Sequence, residues 1–158
     1  MELITGQAVR LACRAGDWTG PTSGLAPSFA QANLVILPRE FASDFLLFCQ
    51  RNPKPCPLLE VIDAGDPVPK LFASGADLRT DLPKYRIWQN GELTAEPESI
   101  IEHWREDLVS FLIGCSFTFE SALLQAGVPV RHIAENVNVP MYRTNIPCQP
   151  AGVFHGNM

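Results

Sequence analysis

The sequence has no apolar run long enough to cross a membrane and no start typical of a signal peptide. Its first six residues contain neither a basic stretch nor an apolar core. The sequence has 12 lysine and arginine residues against 17 acidic residues, and the basic residues are not clustered. It therefore lacks the basic patch that binds a nucleic-acid backbone. These absences predict a soluble, cytoplasmic protein with neither a membrane nor a nucleic acid as its partner.

Cysteine and histidine are few and scattered. The five cysteines include no C-x-x-C pair, and none of the three histidines has another at the spacing that places two ligands on one helical face. An odd number of widely spaced cysteines predicts reduced thiols rather than a disulfide framework. The sequence supports no zinc or other metal site, and we expect no cofactor.

The most informative segment that is present covers residues 114–120, where polar and reactive groups lie between two apolar stretches. Residues 109–113 predict a buried strand, and residues 121–127 predict a short helix that ends at glycine. At such a turn, free backbone N–H groups and the positive end of the helix dipole could hold an anionic group or a developing oxyanion. The candidate catalytic residues of this turn are Cys115, Ser116 and Glu120.

Residues 73–86 are the most charge-dense part of the sequence, and Asp77, Arg79 and Asp81 alternate within them. An extended backbone would aim all three at one side, whereas in a turn the aspartates would cap backbone N–H groups. Two carboxylates that flank an arginine could form an acid/base pair or an anion clamp. A surface ion-pair network explains the pattern equally well. We take Asp77 and Asp81 as candidate catalytic residues and Arg79 as a candidate substrate-binding residue.

Residues 14–27 hold three glycines and two prolines and cannot form a regular element, which leaves a long ordered loop or a disordered one. The apolar run 34–37, stopped by Pro38, predicts a buried strand and favours an ordered loop before it. Loops anchored on buried strands often bind ligands, although glycine-rich turns without a ligand are as common. Gln31 and Asn33 are candidate substrate-binding residues at this junction.

Residues 142–145 are four consecutive hydrogen-bonding side chains between apolar ends. Burying them without partners is costly, so a polar pocket wall explains them, and the alternative is an edge strand with its polar side chains in water. The substrate-binding candidates of this segment are Tyr142, Arg143 and Asn145.

The pattern of elements predicts an α/β fold, a mixed sheet covered by helices. An Asn90-Gly91 pair adds a β-hairpin. The predicted domain spans residues 1–158, with residues from about 128 onward as the alternative start of a second, smaller α/β subdomain. The predicted strands are 33–37, 58–62 and 109–114, and the predicted helices are 39–51, 97–108 and 118–126.

Six segments, in this order, resemble the successive motifs of the D-glutamate cyclase family, whose bacterial members include many named as hydro-lyases. The resemblance covers nearly the whole sequence. The segments are 22–27 (TSGLAP), 31–34 (QANL), 48–57 (FCQRNPKPCP), 76–85 (ADLRTDLPKY), 113–120 (IGCSFTFE) and 141–145 (MYRTN).

The resemblance implies a lyase that removes water from a small carboxylate or amino acid, and in the member that gives the family its name the reaction closes D-glutamate to 5-oxo-D-proline. Two departures stand out. Family members usually carry glycine where this sequence has Ser28, and they continue beyond Met158, so the sequence is expected to be a shortened member. A binding module or an inactive remnant is therefore the alternative. A homo-oligomer is left open.

The chemistry of such a lyase suggests roles for the candidates. Arg143 and Arg79 would grip carboxylates, and the turn N–H groups with Ser116 would hold the developing oxyanion. Glu120, Asp77 or Asp81 would move protons. Cys115 is either a nucleophile with a thiol activated at a helix N-terminus or a packing residue.

Overall fold

The structure, a computed structural model, describes residues 3–137 and 139–158. Helices and strands alternate through much of the chain. In chain order the elements are α1 (Gly6–Arg14), β1 (Ala32–Pro38), α2 (Arg39–Arg51), β2 (Leu58–Ile62), β3 (Ile87–Gln89), β4 (Glu92–Ala95), a 3₁₀ turn (Ile101–His103), β5 (Leu108–Gly114), α3 (Phe117–Gln125) and α4 (Arg131–Ala134).

Three strands form the main sheet in the order β1-β5-β2. The chain passes from β1 through α2 to β2, and β5 then inserts between these two strands, antiparallel to both. The predicted α/β class is confirmed. The prediction of a mixed sheet needs correction, because β5 separates the two strands that run in the same direction and leaves only antiparallel pairings in the described main sheet.

The central strand β5 is buried along almost its whole length because both of its faces are covered. On one face Phe111 meets Phe45 of α2 edge-to-face, with ring centroids 4.9 Å apart. On the other face Leu112 packs with Ile62 and Leu78. A strand covered on both sides reads as a continuous apolar run, which is why its sequence predicted burial correctly.

The hairpin prediction is confirmed. β3 and β4 pair antiparallel around Asn90 and Gly91, whose φ angles are 52° and 82°. Two successive positive φ values are what a type I′ turn requires, and asparagine followed by glycine tolerates them best.

The predicted helix 97–108 is wrong, since only the 3₁₀ turn Ile101–His103 forms there. Long-range backbone hydrogen bonds hold this segment instead. The Ile100 N–H donates to the Arg79 carbonyl at 2.9 Å, and the Pro97 carbonyl accepts from Tyr85 N–H at 2.8 Å. A helix through these residues would have to break both bonds.

Helix α1 was not predicted from the sequence. Its first turn is capped by Thr5, whose hydroxyl accepts from Ala8 N–H at 3.1 Å. Its buried side packs Val9 and Cys13 against Ala26 of the following loop. The loop between α1 and β1 therefore covers the helix as a packed segment.

Helices α3 and α4 contribute no fully buried residue. Phe119 of α3, for example, is 65% exposed. No helix in the described part of the chain has the length and apolar character needed to cross a membrane.

Candidate active site

A cavity of about 410 Å³ lies between α1, the loop that follows it, the sheet face that carries Leu112, and residues 71–83. Its walls are mostly apolar, and four polar or charged side chains interrupt them. The apolar wall includes Val9, Leu25, Leu34, Leu71, Leu78 and Leu112, and the polar lining consists of Arg10, Thr22, Gln31 and Asp81.

Arg10 is the only cationic side chain among the described residues that line this cavity. It is half-buried, and its sole hydrogen bond in the described structure is a long one of 3.4 Å from Nη2 to the Ser74 carbonyl oxygen. No carboxylate lies within ion-pair distance of it in the described residues. Its guanidinium is therefore available to an anionic ligand.

Gln31 joins the loop to the strand-to-helix turn. Its backbone N–H donates to Thr118 Oγ1 at 3.0 Å, and its carbonyl oxygen accepts from Cys115 N–H at 3.1 Å. Its side-chain amide donates to the Leu25 carbonyl oxygen at 3.2 Å, and Thr22 Oγ1 lies 3.5 Å from its Oε1. The predicted ligand loop and the predicted reactive turn thus meet at one residue of the cavity wall.

The turn between β5 and α3 has the predicted strand-turn-helix form. Cys115 is half-buried, and Ser116 is exposed and uses no side-chain hydrogen bond to cap α3. The Cys115 N–H is bonded to Gln31, whereas Ser116 N–H has no partner among the described residues. One backbone donor of the predicted oxyanion site is therefore occupied and one is free.

Asp81 is buried and accepts four hydrogen bonds. Arg14 donates through Nε at 2.6 Å and through Nη2 at 2.7 Å, Thr80 Oγ1 donates at 3.0 Å and the Asp77 N–H donates at 2.9 Å. The hydrogen bond from Arg14 and its charge attraction to Asp81 raise the pKa of Arg14. Both carboxylate oxygens are fully engaged, so Asp81 is held as an ion-pair partner at the cavity edge.

Asp77 and Arg79 form a bidentate ion pair, with distances of 2.9 Å and 2.8 Å. Asp77 also accepts from the Arg79 backbone N–H at 2.9 Å. Of the two backbone alternatives, the structure follows the turn with capping aspartates. The Arg79 hydrogen bond holds the pKa of Asp77 below its usual range despite partial burial, and the guanidinium of Arg79 is occupied.

Glu120 contacts a histidine that the sequence did not single out. Its Oε1 lies 2.8 Å from Nε2 of His132, and both side chains are largely shielded from solvent. A carboxylate beside an imidazole is a pair suited to proton transfer. Thr118, two residues earlier on α3, points to Gln31, and residues two apart lie on nearly opposite sides of a helix. The Glu120–His132 pair therefore faces away from Gln31.

The remaining candidates lie apart from the cavity. Tyr142, 78% exposed, and its neighbours Arg143 and Asn145 lie on an exposed segment and do not line the cavity. Asn33 pairs with Ile113, which places it on the α2 side of the sheet. Among the predicted site residues, the structure brings Gln31 and Asp81 to one cavity and places Cys115 in contact with Gln31.

Comparison with known proteins shows what the chain is similar to. A sequence profile for D-glutamate cyclase matches residues 109–158. A protein of Natranaerobius thermophilus named "Putative hydro-lyase" is 66% identical over 150 residues, which are 95% of this chain and 58% of that protein. A protein of Bacillus velezensis with the same designation is 58% identical over 158 residues, which are 100% of this chain and 60% of that protein. One from Thermoanaerobacter sp. is 62% identical over 157 residues, which are 99% of this chain and 59% of that protein. The chain is therefore similar to D-glutamate cyclase over its last 50 residues and to proteins designated hydro-lyases along nearly its whole length. It spans about three fifths of the length of these relatives.

Ser28 stands where the resemblance to the D-glutamate cyclase family implied glycine. Ser28 has a φ of 70°, in the left-handed region that glycine adopts without strain. Ala26 and Ala73, at 47° and 56°, are also in this region, and both line the cavity. Strained backbone of this kind concentrates around ligand-binding sites.

Glu60 of β2 was missed by the sequence analysis. Its carboxylate accepts three backbone N–H bonds, from Lys70 at 2.6 Å, Leu71 at 3.1 Å and Phe72 at 2.9 Å. Burial raises the pKa of Glu60, but the three backbone hydrogen bonds outweigh this effect, and the pKa is lowered overall. Because Leu71 and Phe72 line the cavity, Glu60 holds one of its walls.

A bulge in β2 aims Glu60 at this wall. Leu58 pairs with Ile113, but Glu60 pairs with Leu112, so the register shifts by one residue at Leu59. In a regular strand Leu58 and Glu60 would lie on the same face. With the bulge, Leu58 packs towards α2 and Glu60 lies on the cavity face, as expected of bulges that redirect a side chain.

The other residues that the sequence analysis missed are Arg10, Arg14 and His132. The amphipathic pattern of α1 could have placed Arg10 beside a buried face. No local signal pairs Arg14 with Asp81 or His132 with Glu120. Among the described residues, no three histidine, cysteine or acidic side chains are placed to hold a metal ion.

Proposed function

We propose that this chain forms the substrate pocket of a hydro-lyase that removes water from a small carboxylate or amino acid. Cyclisation of D-glutamate to 5-oxo-D-proline is the reaction that the family name suggests. The names of the relatives support the reaction class. The cavity beside α1, with a volume of about 410 Å³ and Arg10 in its wall, suits a small anionic substrate.

The observation that carries the proposal is the guanidinium of Arg10 on the wall of a mostly apolar cavity, which has no carboxylate partner among the described residues and only one long hydrogen bond. An arginine fork binds a carboxylate through two parallel hydrogen bonds, and it binds more strongly where solvent is partly excluded. The apolar wall would cover the carbon chain of the substrate. Arg14 and Arg79, in contrast, already grip carboxylates of the protein.

Cyclisation of glutamate joins the amine nitrogen to the side-chain carboxyl carbon. A C–N bond forms and a C–O bond breaks, and the two protons that the ammonium group loses leave with the oxygen as water. The reaction therefore requires a group that moves protons and donors that stabilise the oxyanion. The Ser116 N–H, which has no partner among the described residues, would act as one such donor.

Asp81 and Glu120 are two of the carboxylates that the sequence predicted to move protons. Asp81 lines the cavity, but all its hydrogen bonds serve the protein. Glu120 and His132 form a suitable pair on the side of α3 that faces away from Gln31. We therefore propose Arg10 as the carboxylate grip and assign neither residue of this pair to the cavity, because a small substrate held there does not reach across an α-helix about 10 Å wide.

The alternative function is a binding module without catalysis. The specific observation in its favour is that Asp81, the only carboxylate among the described lining residues of the cavity, is fully engaged. Such a pocket could bind a small carboxylate and leave it unchanged.

One experiment separates the two functions. The chain is incubated with D-glutamate and, separately, with small hydroxy acids, and products are followed by NMR while calorimetry measures binding. Loss of water from any of these supports the lyase. Saturable binding of D-glutamate or 5-oxo-D-proline without turnover supports the binding module, and neither binding nor turnover contradicts both.

Substitution of Arg10 tests the grip. Arg10→Gln should weaken carboxylate binding by about tenfold or more, because a charge-assisted bidentate contact is lost. The matched control is Arg39→Gln, since Arg39 is exposed and does not line the cavity. Equal affinity in the two variants would remove Arg10 from the site.

A further inference from the structure

Strand β1 forms an open edge of the main sheet. Two backbone hydrogen bonds flank the β1–β5 ladder: the Cys115 N–H donates to the Gln31 carbonyl, and the Arg39 N–H donates to the Asp107 carbonyl. They show that the odd-numbered residues of β1 direct their backbone groups towards β5. By the alternation of an antiparallel ladder, Leu34 and Ile36 direct their N–H and C=O groups away from β5. No backbone partner for either residue is found in the described structure.

A second groove of about 600 Å³ follows this edge. Residues 34–38 of β1 form one wall, and residues 84–89, which include β3, form the other. Ile100 and Leu108 add apolar surface. The backbone groups of Leu34 and Ile36, which have no partner in the described structure, lie along this edge and are suited to pair with an extended strand.

The described lining of this groove contains basic residues and no acidic one. The basic residues are Lys84, Arg86, His103 and Arg105, on a chain of net charge −5. Arg86 and Arg105 each pair with a carboxylate beside the groove, at 2.9 Å and 2.8 Å. Lys84 has no carboxylate within ion-pair distance in the described residues. Among the described lining residues, Lys84 is therefore the cation available to a ligand that brings negative charge.

We propose that this groove binds an extended peptide segment with acidic side chains, which adds a fourth strand to the main sheet at β1. Alternate side chains of the peptide would contact the apolar surface, and those between them would meet Lys84 and its cationic neighbours. A second copy of β1 fits less well, because its sequence ANLVILP contains no acidic residue to answer Lys84.

The test uses a blocked, fluorescein-labelled heptapeptide of alternating glutamate and valine, titrated with the chain and followed by fluorescence anisotropy. We expect saturable binding that weakens as salt is added. A heptapeptide of alternating lysine and valine is the charge control, and a glutamate–valine peptide with N-methylated amides is the pairing control. Both should bind about tenfold more weakly or worse.

Two variants locate the site. Ile36→Pro removes an outward N–H without removing a bond to β5, a position where an edge strand tolerates proline, and it should abolish binding. Lys84→Glu should weaken binding at least about fivefold, whereas the exposed Lys54→Glu, outside the groove, should not. Thermal unfolding checks that each variant folds.

Amide hydrogen exchange keeps the test decisive if Ile36→Pro fails to fold. In the unsubstituted chain, the amides of Leu34 and Ile36 should gain protection when the glutamate–valine peptide is added. The proposal is overturned if this peptide does not protect them, or if the lysine–valine peptide binds equally well. It is also overturned if the two amides become protected at high chain concentration without peptide, because a second copy then occupies the edge.

Discussion

Replacing Glu60 by glutamine tests whether one buried carboxylate holds the cavity wall. Glu60 Oε1 accepts from the N–H groups of Lys70 and Leu71, and Oε2 accepts from that of Phe72. Glu60→Gln keeps the shape of the side chain and removes its charge. One oxygen becomes an NH₂ group, which cannot accept a hydrogen bond.

The magnitude follows from these three bonds. Hydrogen bonds to a charged group contribute about 1.5–3 kcal/mol each, and neutral ones about 0.5–1.5 kcal/mol. Glu60→Gln loses one bond and weakens two, but residues 70–72 are exposed, so water can satisfy part of what is lost. We expect the free energy of unfolding to fall by roughly 2–3 kcal/mol at neutral pH.

The difference between the two proteins should depend on pH. The backbone bonds lower the pKa of Glu60 in the folded chain against the opposing effect of burial. The unfolded chain therefore takes up a proton first as the pH falls. Stability from the ionised carboxylate is fully present above the unfolded pKa of about 4.3 and is lost as the pH falls through the folded pKa. The gap between wild type and Glu60→Gln should narrow in that range.

Urea denaturation at neutral pH and at several acidic pH values measures this gap. Glu98→Gln is the matched control, because Glu98 is exposed and no hydrogen bond or ion pair of its carboxylate is found in the described structure. A loss of stability for Glu60→Gln no larger than that for Glu98→Gln would refute the reasoning. A gap that stays constant down to the lowest pH would show that the charge of Glu60 does not produce it.

Two further substitutions test the backbone and the core. Ser28→Gly should raise the free energy of unfolding by about 1 kcal/mol, since glycine adopts the observed φ of 70° without strain. Ser28→Ala should give no such gain. Equal stabilities of the two variants in urea denaturation would contradict this prediction. Ser110→Ala should stabilise the protein by about 1 kcal/mol, because the Ser110 hydroxyl is fully buried without a partner among the described residues. A lower melting temperature in calorimetry would mean that this hydroxyl has a partner or a role.

Local patterns were sufficient to predict most of the sheet. The strands near residues 33–37, 58–62 and 109–114 are confirmed, as are the helices near residues 39–51 and 118–126. These elements carry apolar periodicity and end at proline or glycine, which are signals within a few residues of the element itself.

The helix predicted at 97–108 shows where local reasoning stops. Proline, acidic residues and a regular apolar spacing all favour a helix there. Backbone hydrogen bonds to Arg79 and Tyr85, which lie outside the predicted helix, hold the segment extended around its single 3₁₀ turn. Their contribution is absent from any short window of sequence, so tertiary contacts override the local preference.

In the candidate site, too, the decisive contacts join residues that are distant in sequence. The sequence predicted reactive groups at the turn 114–120, and it could not tell which distant side chain each group meets. Glu120 meets His132, and Asp81 meets Arg14, which lies 67 residues away in sequence. Charge pairing of this kind decides whether a carboxylate can move a proton or only fixes the fold, because a carboxylate whose oxygens are all engaged must first lose a bond. Whether a carboxylate of this chain can move a proton therefore depends on its partners, and by that criterion Asp81, which accepts four hydrogen bonds, is poorly suited.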